Sequence, residues 1–114
     1  GSSGELVQVW LNIVKNGCEA MLNSGVANPL LKIETVKNGA FIEVRITDNG
    51  PGIPPDLLPR IFQPNVTTKV GGLSFGLGLG LTIVQRLVVE NYDGDIQVES
   101  RPGHTMFLVK LPLR

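Results

Sequence analysis

Three short stretches of this 114-residue sequence carry residue types whose spacing suits chemistry as well as packing. Gly76-Leu77-Gly78-Leu79-Gly80 opens a segment of helical period. Glycines in that position let backbone N–H groups come close to a phosphate, and a helix N-terminus adds partial positive charge. A glycine-rich hinge would read the same way. Asp48 ends a run in which Ile42, Val44 and Ile46 share one face, and it continues that parity. Its carboxylate is therefore expected to point toward the core side, where it needs a partner because an unpaired buried charge is costly. On the first periodic segment Asn12, Asn16 and Glu19 fall within roughly 60° of one another at about 100° per residue, forming one polar stripe. Such a stripe is ordinarily a solvated face. A Walker A loop is excluded because no Gly-Lys-Ser/Thr follows the glycine spacing. A Rossmann loop is excluded because no strand immediately precedes the glycines, and protein-kinase signatures are missing.

The elements that must position these residues follow from periodicity. Leu6, Val9, Trp10, Ile13, Val14, Ala20 and Met21 predict an amphipathic helix over Glu5 to Leu22, with Trp10 and the leucines of this segment as core residues. Cys18 flanks the apolar side as a buried, inert thiol, and Lys15 with Glu19 makes an exposed i, i+4 pair. Asn23 to Pro29 reads as a loop. Leu31 to Lys37 and Ala40 to Asp48 are strand-like and are joined by Asn38-Gly39, a hairpin signal because both residues tolerate positive φ. Asn49 to Gly52 is a turn, followed by a short helix from Pro54-Pro55 to Phe62 that Pro59 shortens or distorts. Gln63 to Phe75 reads as a flexible loop. Leu81, Ile83, Val84, Leu87 and Val88 predict a second long helix from Gly80 to about Asn91. Asp95 to Ser100 and Thr105 to Leu111 are strands around the turn Arg101-Pro102-Gly103-His104. The predicted fold is a two-layer α+β sandwich, with a mixed, mostly antiparallel sheet packed on about three helices.

Length and composition bound the function classes. A chain of 114 residues holds one core, expected over residues 5–114. Gly1-Ser2-Ser3-Gly4 reads either as a tag remnant or as native lead-in. Ten basic residues cancel ten acidic ones, which argues against a nucleic-acid partner. No stretch approaches the roughly 20 apolar residues of a membrane span, so no membrane contact by this domain is expected. One cysteine precludes an internal disulfide, and a reducing, cytoplasmic setting is expected, also for a domain whose full-length protein is membrane-anchored. The lone histidine, His104, lies in a Pro-Gly turn with no acidic sequence neighbour and reads as a turn residue.

Read together, the segments carry a family resemblance. Asn12-Ile13-Val14-Lys15-Asn16-Gly17-Cys18-Glu19-Ala20 resembles the N box of the GHKL ATPases (gyrase, heat-shock chaperone, histidine kinase and mismatch-repair proteins). Asp48-Asn49-Gly50-Pro51-Gly52-Ile53 is similar to the G1 box, and Gly76 to Val84 to the G2 box. Arg60-Ile61-Phe62-Gln63-Pro64 with Thr67-Thr68-Lys69, and the ending Gly103 to Phe107 before Leu111-Pro112, resemble the catalytic and ATP-binding domain of sensor histidine kinases. The resemblance spans nearly everything from Glu5. It implies the Bergerat-type ATP-binding fold.

The resemblance also implies roles. Asn16 would ligate Mg²⁺, and Asp48 would accept a hydrogen bond from the adenine amine. Thr105 would help hold adenine through a water shared with Asp48, and Gly52 would let the loop pass close to the base. Gly76, Gly78 and Gly80 would bracket the phosphates of ATP. Gly50, Ile53, Thr68, Leu79 and Leu81 join them through their boxes, and Lys69 is a phosphate contact on a lid running from Thr67 to Phe75. The family's hydrolases carry a glutamate base where this sequence has Asn12, and an amide cannot accept a proton at neutral pH, which favours phosphotransfer to a histidine. The implied acceptor histidine lies on a separate dimerisation domain, with a response regulator downstream. A serine kinase of the anti-sigma type and a non-catalytic ATP-binding regulatory module are the alternatives. The family usually has Asn-Ala where Asn16-Gly17 stands, a threonine where Leu77 stands, and an aromatic pair where Asn65-Val66 stands. The strand that precedes the N box in the family is not evident.

Overall fold

In the computed structural model the apolar period of the first segment forms helix α1, Ser3–Ser24, two residues longer at each end than expected. The structure describes residues 3–62, 69–70, 73–74 and 79–113. Val9, Ile13 and Met21 are buried along one stripe of α1. Trp10 packs only partly against the core, and Leu11 and Leu22 are exposed. Those leucines lie off the stripe that meets the sheet, so the expectation that all leucines of this helix are core is corrected. Cys18 is half-buried. Lys15 Nζ stands 3.8 Å from Glu19 Oε1 on the exposed side, the expected i, i+4 pair. Ser24 closes the helix by donating its hydroxyl to the Ala20 carbonyl at 2.8 Å.

Strands β1 (Leu31–Asn38) and β2 (Phe41–Asp48) form the expected hairpin, with Asn38 paired to Phe41. The turn residues are therefore Gly39 and Ala40. Only Gly39 has positive φ (63°), which fits a II′-like turn and corrects the reading in which Asn38 shares that role. The segment after Gly52 contains a single 3-10 turn, Leu58–Arg60, in place of a third regular helix. Pro55 and Pro59 lack the N–H groups that α-helical bonding needs. Leu57 and Ile61 nevertheless plug the core from this turn. Residues Lys69–Val70 and Leu73–Ser74 pair as a short antiparallel hairpin, β3 and β4, inside the stretch read as loop. Helix α2 covers Leu79–Arg86 and continues as a π-helical turn, Leu87–Asn91, which leaves the adjacent Leu87 and Val88 both buried. Strands β5 (Asp95–Arg101) and β6 (His104–Pro112) end the fold.

The main sheet has the order β1-β2-β6-β5, and all its pairs among the described residues are antiparallel, the dominant sense expected of a mixed, mostly antiparallel sheet. Its register stacks the helix-facing residues in rows across the strands. Thr35, Val44, Val109 and Ile96 form one row, and Ile33, Ile46, Phe107 and Val98 the next. Beyond them lies a row that is polar at three of its four positions, Asp48, Thr105 and Ser100 after Leu31. The apolar rows meet Val9, Ile13, Leu81, Val84 and Val88 from the helices. Phe62 sits edge-on to Phe107 at 6.5 Å. On the opposite face Glu43 is buried, although parity puts it away from the core. Asn38 Nδ2 donates to it at 2.7 Å and holds its carboxyl below the usual range, against the opposing effect of burial.

Candidate functional site

The polar row closes the apolar face of the sheet and contains the inward carboxylate that parity anticipated. Asp48 is 7% exposed and sits under α1. Its Oδ1 accepts the Gly50 N–H at 2.9 Å, the one donor it has among the described residues. Two glycines make room for the carboxylate. A Cβ on Gly17 would lie 3.0 Å from Oδ2, and one on Gly50 would lie 2.8 Å from Oδ1. Burial pushes the Asp48 carboxyl above its ordinary value, while the Gly50 bond and the charge of His104 pull it back. His104 Nε2 is 3.7 Å from Glu99 Oε2 across the β5–β6 turn, an ion pair when the ring is protonated. Sequence neighbours alone did not reveal that acid.

The turn after β2 is fastened to the β5–β6 turn. Gly103 N–H donates to the Gly50 carbonyl at 3.0 Å, and Ile53 N–H donates to Ser100 Oγ at 2.8 Å. Ser100 Oγ lies 2.8 Å from Thr105 Oγ1, and Thr105 is buried directly opposite Asp48. Gly52 has φ +83°, and a Cβ there would stand 2.5 Å from the Arg101 carbonyl oxygen. The close approach at Gly52 is thus to the β5–β6 turn, a different reason for glycine from the expected passage beside a base. Gly52→Ala is expected to destabilise the domain by about 2 kcal/mol, from the left-handed backbone cost alone. A thermal melt should then fall by about 8 °C or more. An unchanged melting temperature would show that the loop relaxes without loss.

Asn49 and Ser100 also belong to this arrangement, although the sequence did not single them out. Asn49 Oδ1 accepts the Leu30 N–H and its Nδ2 donates to the Asn28 carbonyl, both at 2.8 Å, tying the α1–β1 loop to the site. Only its residue type hinted at this. Ser100 shares the core-facing parity of Ile96 and Val98, the same signal that identified Asp48, so it was findable.

On α1, Asn16 is 7% exposed and its Oδ1 is buried with no hydrogen-bond partner. Thr82 Oγ1 on α2 is the other such atom among the described residues. Asn12 is half-exposed one turn before Asn16. Leu81 is 2% exposed, so its side chain belongs to the core and only its backbone is available to a ligand. Leu79 and Gly80 form the start of α2, and Lys69 belongs to β3. Thr68, Gly76 and Gly78 lie outside the described residues. Among the described residues no group of three or more His, Cys, Asp or Glu side chains is placed to hold a metal, and no helix is long and apolar enough to cross a membrane.

A sheet with one polar row at its end, roofed by a helix that carries a buried asparagine, defines a class. Over residues 1–114 the sequence matches the family described as histidine kinase-, DNA gyrase B- and HSP90-like ATPases, and the chain belongs to that family. It is 38% identical over 117 residues to the sensory histidine kinase/phosphatase NtrB of Vibrio alginolyticus, covering 96% of this chain and 32% of that protein. Sporulation kinase C of Bacillus subtilis (strain 168) is also 38% identical, over an aligned length of 115 that covers 100% of this chain and 25% of that one. Among solved structures, the catalytic domain of histidine kinase ThkA in a nucleotide-free form superposes with a TM-score of 0.81 at 30% identity, covering 98% of this chain and 69% of that one. The mycobacterial sensor histidine kinase MprB gives the same TM-score at 26% identity, covering 100% and 76%. The α+β sandwich is therefore that of histidine kinase catalytic domains. The chain spans about a third or less of the length of these curated relatives.

Proposed function

We propose that this domain binds Mg-ATP with the adenine against Asp48 and donates the γ-phosphate to a histidine on a separate dimerisation domain of the same kinase. A response regulator would receive the phosphoryl group next. The buried Asp48 carboxylate is the observation that carries the reading. A charge this shielded, with one backbone donor among the described residues, calls for a second donor, and the exocyclic amine of adenine supplies one.

Asn16 fits the metal. A buried amide oxygen without a partner is a hard donor, and Mg²⁺ typically takes few protein ligands, completing its shell with phosphate and water. When bound, the ion neutralises charge on the phosphate oxygens. Asn16 would hold it, Thr105 and Ile53 would help hold the base, and the start of α2 with Gly76, Gly78 and Gly80 would meet the phosphates. Thr68 and Lys69 would add contacts from the lid. Catalysis by such a domain is positioning with little covalent chemistry of its own. Asn12 stands where the family's hydrolases carry a base and cannot activate water.

The test is transfer of label from Mg-[γ-³²P]ATP to a separately supplied dimerisation segment. Label is expected on the segment's histidine, with slow phosphate release by the domain alone and loss of transfer in Asn16→Ala. Rapid release that survives Asn12→Ala would overturn the kinase reading.

A further inference from the structure

We propose that Ser100, a residue that does not itself reach the ligand, sets the nucleobase preference of this site by fixing the direction of the Thr105 hydroxyl proton. The inference rests on the nucleotide reading above and adds a positioning residue to it.

Ser100, Thr105 and Asp48 lie side by side across β5, β6 and β2 at the polar end of the sheet. Ser100 Oγ accepts the Ile53 N–H at 2.8 Å and lies 2.8 Å from Thr105 Oγ1. Each hydroxyl has one proton and two lone pairs, so two arrangements are possible. If Thr105 donates to Ser100, the serine oxygen takes two donors and its own proton must find a further acceptor. The buried Thr105 oxygen then turns a lone pair to the strand position beside it, which holds the Asp48 charge. If Ser100 donates to Thr105, the chain runs in one sense: Ile53 N–H to Ser100, Ser100 O–H to Thr105, and Thr105 O–H into the pocket. Either way one hydroxyl proton is left over; here it is that of Thr105, successive bonds polarise one another, and the proton lies on the strand position beside the Asp48 charge, which attracts it. The second arrangement is favoured.

The pocket accordingly offers an acceptor, the Asp48 carboxylate, beside a donor, the Thr105 hydroxyl. The Watson–Crick edge of adenine presents the complement, an amine donor beside the N1 acceptor. Guanine presents the reverse, the O6 acceptor beside N1–H. A bridging water can itself donate or accept, and it keeps this polarity when it also donates to Asp48: if Thr105 donates to it, its second proton is left for N1, and if Thr105 accepts, both its protons are spent. Without Ser100 the Thr105 hydroxyl is free to turn, and donor and acceptor become interchangeable at that position.

Titration calorimetry of the 114-residue chain with Mg-ATP and with Mg-GTP tests this. In Ser100→Ala the ratio of ATP to GTP affinity should fall by about fivefold or more, the change that one hydrogen bond makes. Ser100→Thr keeps a hydroxyl and should restore the ratio. Thr105→Val removes the donor with Ser100 intact and should show the same loss, which covers the case of a poorly folding Ser100→Ala. If Ser100→Ala weakens both nucleotides equally, Ser100 is only a fastening for the Ile53 loop, and if Thr105→Val does so, the Thr105 hydroxyl does not read the base; either result overturns the inference. A wild-type chain that binds neither nucleotide overturns the function reading itself.

Discussion

Asp48→Asn should lose ATP binding and, at neutral pH, unfold at the same or a higher temperature than the wild type. The substitution is nearly isosteric, and the amide oxygen can still accept the Gly50 N–H. What it removes is a shielded negative charge and one acceptor. A donor would then face the adenine amine, so a charge-assisted hydrogen bond is replaced by two opposed donors. Loss of such a bond is worth about 1.5–3 kcal/mol, or about 10- to 150-fold in affinity. Stability moves the other way because burial penalises the ionised Asp48. Its carboxyl in the folded state lies above the ordinary 3.8, so the folded chain holds this proton more tightly than the unfolded chain. Stability from this group therefore falls as pH rises from the ordinary value through the raised one. The difference between urea titrations of wild type and Asp48→Asn over that window isolates the effect from other carboxylates. ATP affinity of the wild type should rise across the same window, as the acceptor form becomes populated. Tight ATP binding by the variant would remove Asp48 from the site. A clear loss of stability at neutral pH would make it structural instead.

Opposite trends in binding and stability would suit a residue kept for a ligand, and the out-of-place carboxylate behind that expectation is visible in the sequence. A carboxylate that continues the parity of Ile42, Val44 and Ile46 contradicts the apolar face, and the structure places it there. The same arithmetic applied to Ile96, Val98 and Ser100 would have found Ser100, but a serine is too small and too weakly polar to look out of place. Asn49 escaped because its partners, at positions 28 and 30, are brought close only by the fold. Gly52 was identified, yet the atom that demands a glycine there belongs to Arg101, a contact no local pattern contains. Glu43 shows the converse. Parity gave its face correctly, and its burial depends on Asn38 and Arg45 folding over it. The leucines of α1 were overcounted because the apolar period fixes a stripe but not its width. Leu11 and Leu22 fall outside it. Strand order and the rows of the sheet depend on pairing between β2 and β6, which sequence periodicity does not specify.

Asn12→Glu should convert the domain from a slow to a fast hydrolase. Asn12 is half-exposed and one turn before the buried Asn16, so a carboxylate can ionise there without a large desolvation cost. Glutamate is also the better helix former, which favours retention of α1. A positioned general base contributes about 10²–10⁴-fold to a reaction that needs proton removal from its nucleophile. Water beside the γ-phosphate is such a nucleophile, and on the proposed function the wild-type amide would leave it unactivated. Phosphate release from Mg-ATP is therefore expected to rise by about 10²-fold or more. Transfer to a supplied histidine segment should fall, because water now competes for the same phosphoryl group. Asn12→Gln controls for side-chain length and should stay slow. If Asn12→Glu binds Mg-ATP normally and still hydrolyses it at the wild-type rate, the side chain at position 12 does not face the reacting phosphate. The choice between water and histidine would then have to come from another part of the site.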